Sequence, residues 1–220
     1  MTHQWSDSFP RGTCWVAPEH RVVFVATTKC ASSTISSCVK RSCPDAYKGR
    51  VCNLTDDERD FWTCAVLRNP FDRFVSSYLA LCRRKANHTG RRYLHRDPST
   101  DGMLALLDDI RREGFFDVHI IPQVDFLWDC RIDQLLDMDH LDFDLERYLW
   151  PRIGKPKHYI RRNRKPIALV QSTNALMTDR VLDGVVDVYS GDFRLWYSWR
   201  RVPASIPTKS QCFHSINAPG

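Results

Sequence analysis

Between Gly12 and Gly49 the chain has no glycine. That gap excludes a Walker loop over the first strand-loop-helix unit, because such a loop needs glycines for close backbone approach to phosphates and places its lysine last, against the helix. Apolar runs are short as well. None exceeds Val22 to Ala26 in length, and a membrane helix needs about 20 apolar residues. The nine cysteines are odd in number, scattered and free of any C-x-x-C pair, which argues against a structural zinc site and reads as a reduced chain. Dispersed aspartates and the absence of a zinc-enzyme His/Glu helix pair mean that no metal is expected. No zinc finger or aromatic RNA-binding signature accompanies the positive charge, so nucleic acid is not the expected partner. There is no internal repeat and no low-complexity tract.

What the chain does have is positive charge gathered around two apolar strands. A net charge of +6 and a pI near 8.9 fit anionic ligands. The basic clusters Arg83-Arg84-Lys85, Arg91-Arg92, Lys155 to Lys165 and Arg200-Arg201 can each also be an ordinary solvated surface. More specific is Ala65 to Tyr78, an apolar strand that stops at Arg68 and becomes a helix within two residues. Asn69 suits the N-cap and Pro70 the first helical position. Arg68 is then left at the strand end beside the positive end of the helix, with Arg73 and Ser76 three residues apart on one helical face. These groups can converge on a phosphate, or Arg68 can simply pair with a carboxylate. The earlier unit runs from Arg21 to Arg41. A β-branched strand ends in Thr27-Thr28-Lys29-Cys30-Ala31-Ser32-Ser33-Thr34, and a helical stretch follows. Small residues and hydroxyls let N–H groups reach an anion, and Lys29 adds a mobile charge. The plain alternative is a Ser/Thr-rich turn capping a helix.

The ordered pair Thr28 to Thr34 and Arg68 to Tyr78 resembles the sulfotransferase superfamily. A third element, His119-Ile120-Ile121-Pro122-Gln123 with Cys130 behind it, is similar to the His-x-x-Pro-Gln element of its carbohydrate, Golgi-type family 2 branch. The segment His158 to Lys165 falls where those enzymes carry a basic, Asn-containing loop. The resemblance spans about Val22 to Trp196. It implies that 3′-phosphoadenosine 5′-phosphosulfate (PAPS) is the sulfate donor and 3′-phosphoadenosine 5′-phosphate (PAP) the product, with no metal. Residues Thr28, Lys29, Cys30, Ala31, Ser32, Ser33 and Thr34 would hold the 5′-phosphosulfate, and Arg68 and Ser76 the 3′-phosphate with Arg73 shaping that pocket. Among Arg161, Arg162 and Lys165, some would cap the nucleotide. Lys29 is the expected cation at the leaving oxygen and His119 the expected general base. His119 can equally be a structural histidine at a strand mouth. His20, His140, Asp137 and Asp139 are secondary candidates for the base, and Gln123 would orient the histidine or the acceptor. Asp139 departs from the Glu that relatives often carry there. Tyr189, Asp192 and Phe193 resemble a C-terminal helix motif and read as packing.

The expected fold is α/β: one domain over residues 1–220 with a mostly parallel sheet flanked by helices, related to the P-loop NTPases as sulfotransferases are. Strands are expected near 21–27, 63–68 and 132–138, and helices near 33–42, 70–86, 102–113, 142–153 and 178–197. Residues 1–18 read as an N-terminal extension and 83–100 as a mobile loop able to close over substrate. With no apolar core of a signal peptide in Met1 to Pro18, a cytoplasmic protein without stable membrane insertion is expected, or a Golgi-lumenal one if the chain is an excised catalytic domain. The sequons at Asn53 and Asn87 matter only in the second case. The acceptor implied by the resemblance is a carbohydrate hydroxyl. A nucleotide kinase on a related fold and a non-catalytic binder of nucleotide or sulfated glycan remain as alternatives.

Overall fold

The computed structural model describes residues 12–83, 97–128, 130–159 and 167–200, of which 167–170 by backbone alone. Five strands form one sheet: β1 (Thr13–Ala17), β2 (Val22–Val25), β3 (Tyr47–Arg50), β4 (Trp62–Leu67) and β5 (Gln134–Asp137), in the order β3-β1-β2-β4-β5. β4 is parallel to both β2 and β5, while β1 is antiparallel to both of its neighbours, so β1 alone runs against the rest. The mostly parallel α/β sheet read from the sequence is the one found.

Alternation with period two explains why the sheet is covered on both faces. Val22, Phe24, Cys64, Val66 and Leu136 pack against α1 (Ser32–Ser42), whereas Val23, Val25 and Ala65 face Val51, Leu54 and Phe61. A separate apolar cluster joins α3 (Pro70–Cys82), α4 (Thr100–Glu113), α9 (Asp179–Val188) and α10 (Ser190–Trp199). Short helices complete the order: α2 (Asp56–Arg59), α5 (Gln123–Phe126), α6 (Leu141–Asp144), α7 (Trp150–Ile153) and α8 (Ile167–Asn174).

Several boundaries differ from the expected ones for identifiable reasons. Thr13–Ala17, assigned above to an extension, is an interior strand with Cys14, Val16 and Ala17 fully buried. A 3-10 turn at Pro18–His20 and a left-handed Arg21 (φ 50) reverse the chain immediately after it. β3 went unseen because an edge strand tolerates polar residues, and Tyr47-Lys48-Gly49-Arg50 carries charge that discourages further pairing. The helix expected at 142–153 is helical throughout but passes through a π turn at Leu145–Leu149, just ahead of Pro151, whose missing N–H interrupts the regular ladder. The one expected at 178–197 is two helices, parted at Tyr189 (φ −109, ψ 28). Most of the expected loop at 83–100 lies outside the described residues.

Candidate active site

The carboxyl ends of β2 and β4 lie side by side, and each leads through a short loop to a helix N-terminus. After β2 the chain adopts left-handed backbone at two non-glycine residues, Lys29 (φ 66) and Ala31 (φ 54), a conformation that costs roughly 1–2 kcal/mol per residue. Side chains beneath the loop hold it there. Thr27 Oγ1 donates to Val66 O (2.7 Å), Thr28 Oγ1 to Val118 O (2.9 Å) and Cys30 Sγ to Gln123 Oε1 (3.1 Å). The side chains of Thr28 and Cys30, expected among the donor-binding groups, are thus bonded to neighbouring protein segments. Ala31 O accepts from Thr34 N (2.9 Å) and Ile35 N (3.1 Å), so the N–H groups of Ser32 and Ser33 precede the first intrahelical bond of α1. Ser33 is exposed, Ser32 half-buried and Thr34 buried. The groups at this helix end that could meet an anion are the backbone N–H groups and the two serine hydroxyls.

After β4 the predicted cap is present: Asn69 Oδ1 accepts from Phe71 N (2.9 Å), with Pro70 opening α3. Arg68 Nη1 donates to Lys29 O (3.4 Å), which sets the two loops against each other. Arg73 lies elsewhere than expected. Its side chain is 1% exposed, with Nε donating to Thr28 O (3.2 Å), Nη2 to Ile121 O, and Nη1 3.8 Å from Asp192 Oδ2. It is enclosed beneath the loop and is not a surface for a nucleotide. Ser76 is buried on the same helix.

Charge is unbalanced here. Among the described residues neither Lys29 nor Arg68 has a carboxylate within ion-pair distance. Burial first, then repulsion from Arg68 and Arg73, pushes the Lys29 ammonium below its ordinary range. Burial likewise lifts the Asp72 and Asp139 carboxyls above theirs, with Arg68 opposing the rise in both. An anion between Lys29 and Arg68 would relieve the cations' repulsion.

The His119 element is joined to this loop. Thr28 Oγ1 bonds Val118 O, and Ser77 Oγ donates to His119 O (2.6 Å). Asp117 Oδ1 accepts from both His119 N (2.9 Å) and His119 Nδ1 (2.8 Å). With Nδ1 donating to Asp117, Nε2 is the basic nitrogen of the neutral ring. Asp117 was missed in the sequence, where its signal was only an aspartate two residues before a histidine. Gln123 differs from expectation. Its amide is 1% exposed and clasps the backbone of Arg68, accepting from Arg68 N (2.8 Å) and donating to Arg68 O (2.9 Å), so it splices β4 to the His119 element.

Of the secondary candidates, Asp137, Asp139 and His140 gather at and just after the end of β5, and His20 lies apart from them. His20 follows β1, whose end pairs with the start of β2, and so lies at the opposite end of the strands from Lys29. Asp137 is ion-paired with Arg200, and His140 lines a cavity beyond β5 with Phe143, Tyr148 and Trp199. Arg161, Arg162 and Lys165 lie outside the described residues. Among the described residues no group of three His, Cys, Asp or Glu side chains could hold a metal ion, and no helix is long and apolar enough to cross a membrane.

No curated protein and no solved structure matches the chain. Residues 12–198, however, match the sulfotransferase family, an interval that takes in the whole sheet, both cationic loops, the His119 element and nearly all of α10. A match of that extent means that the chain belongs to the sulfotransferase family and is a transferase.

Proposed function

We propose that this enzyme moves the sulfuryl group of PAPS to a hydroxyl of a carbohydrate acceptor, with His119 as general base. The observation that carries the reading is the Lys29–Arg68 pair at the carboxyl ends of adjacent parallel strands, where open α/β sheets bind ligands, with no carboxylate among the described residues in contact with either cation. A donor bearing roughly four negative charges, up to about two on the 3′-phosphate and one each on the 5′-phosphate and the sulfate, suits a site so charged. The N–H groups of Ser32 and Ser33 would hold the phosphosulfate, and Arg68 with Ser76 the 3′-phosphate. The acceptor oxygen attacks sulfur in line as the bond from sulfur to the bridging oxygen breaks, leaving that electron pair on the 5′-phosphate. Lys29 neutralises the charge growing on the bridging oxygen, and His119 Nε2 takes the acceptor's proton while Asp117 fixes the ring. Positioning and charge stabilisation supply the rate, by analogy with phosphoryl transfer.

The test has two arms. PAP at a hundredfold excess over its Kd should stabilise the fold by about 2.7 kcal/mol, a rise in Tm of about 5–10 °C for a chain of this size, while ATP with magnesium should leave Tm unchanged. The reverse result would assign the site to a kinase. Labelled sulfate should then pass from PAPS to at least one member of a glycan panel, and transfer to peptide tyrosine or phenols alone would overturn the carbohydrate assignment.

A further inference from the structure

Arg73 is the largest side chain that the described structure buries completely. Its guanidinium binds Thr28 through both the carbonyl (3.2 Å) and Oγ1 (3.4 Å), reaches Ile121 O, and faces Asp192 Oδ2 at 3.8 Å. Asp192, on α10, is itself fully enclosed. Its Oδ1 accepts from Val124 N (3.0 Å), whereas Oδ2 has no hydrogen-bond donor among the described residues and faces the charge of Arg73, with Gln123 also beside the carboxylate. Tyr189, where α10 begins, adds a second tie by donating to Ile120 O (2.8 Å). Such a pair is a poor way to gain stability, since desolvating two charges offsets most of their attraction and apolar residues fill the same space as well. What an enclosed guanidinium offers is a rigid fork. Here the fork joins four segments: the Lys29 loop, α3, the His119 element and α10.

We infer that Asp192 is a positioning residue for sulfuryl transfer: by anchoring Arg73 it fixes Thr28, adjacent to Lys29, and Ile121, two residues beyond His119, and so sets the gap across which cation and base face the sulfur. The inference rests on the function proposed above and adds to it α10, a helix given no part there in holding donor or acceptor. A cation and base held one ångström too far apart would still bind donor, yet transfer slowly. Arg73 is therefore a strut and Asp192 its footing.

Asp192→Asn tests this, because the amide keeps an oxygen for Val124 N–H and removes the charge that faces Arg73. Amide hydrogen exchange at residues 28–31 and 119–121 should rise together by tenfold or more, with exchange in α1 and β4 unchanged. In the same variant kcat should fall at least tenfold, while donor KM and the Kd for PAP stay within threefold. Should the variant fail to fold, Arg73→Lys keeps the charge pair, removes the fork and should give the same signature. Faster exchange confined to α5 and α10, or a kcat loss that merely tracks the unfolded fraction, overturns the inference. So does PAP affinity falling in step with kcat. A native chain that binds no PAP and transfers no sulfate overturns the proposed function instead, and the exchange arm still decides whether Asp192 and Arg73 hold the two segments together.

Discussion

Replacing Gln123 by leucine separates a structural splice from an acceptor-orienting role. In the folded chain the Gln123 amide satisfies both Arg68 N–H and Arg68 C=O, and Gln123 is 1% exposed. Leucine fills a similar volume and makes neither bond. Each orphaned backbone group costs roughly 1–3 kcal/mol, and loss of the weak Cys30 thiol bond adds little, so the expected destabilisation is about 4 kcal/mol. At about 2–4 °C per kcal/mol for this size, Tm should fall by about 8–16 °C. Urea titration should show a lower midpoint with an unchanged slope, since the surface exposed on unfolding stays the same. PAP affinity should fall too, because Arg68 is the residue set adrift. A variant that loses less than about 1 kcal/mol yet transfers sulfate far more slowly would refute the splice and return Gln123 to the acceptor.

Other expectations follow from the same geometry. Arg68→Ala should weaken PAP binding by roughly tenfold to a hundredfold, the loss of a charge-assisted contact, with far less effect on adenosine 5′-phosphosulfate, which has no 3′-phosphate; equal losses in calorimetry would exclude the clamp. Asp117→Ala removes the partner of His119 Nδ1 and should lower kcat by about tenfold to a hundredfold with donor KM unchanged, and an unaltered kcat would remove the dyad from catalysis. Burial and neighbouring guanidiniums hold Lys29 below its ordinary value of 10.5. A bound anion favours the charged lysine, so PAP affinity should be flat below the Lys29 value of the free site and fall as pH rises through it. Lys29→Arg, which does not titrate, should abolish that fall, and a fall persisting in the variant would assign the titration elsewhere.

How far the fold and site could be read in advance depended on how local each signal was. Asn69, Pro70 and Arg68 are consecutive, so the cap and the strand-end arginine were legible together. β2 and β4 announced themselves because interior strands of a doubly covered sheet are nearly all apolar. β1 did not, for Thr13–Ala17 is short and its partners lie on both sides of it in space and only after it in sequence. The break at Tyr189 is followed by Ser190-Gly191, a weak turn signal that a one-helix reading passes over. Within the site, residue types were legible but their directions were not. Arg73 and Ser76 share a face by spacing, yet Arg73 points beneath the loop because carbonyls of residues 28 and 121 and the carboxylate of Asp192 wait there. Gln123 to Arg68 and Asp192 to Arg73 are contacts between distant parts of the chain, which periodicity and motif spacing do not report.

The strand order also has a consequence in time. β1, β2 and β3 pair only with one another and β4, so the first three can assemble while most of the chain is still on the ribosome. The loop that carries Lys29 is therefore made early. Its struts come late: Gln123 is far downstream, and Asp192 is among the last of the described residues. At ordinary synthesis rates of about 5–20 residues per second, that is a wait of roughly ten to thirty seconds during which the sheet can exist but the site cannot. A nascent chain of this family member would present an apolar sheet edge at β4 before it presents an active centre, so its early companion in the cell should be a chaperone rather than a substrate.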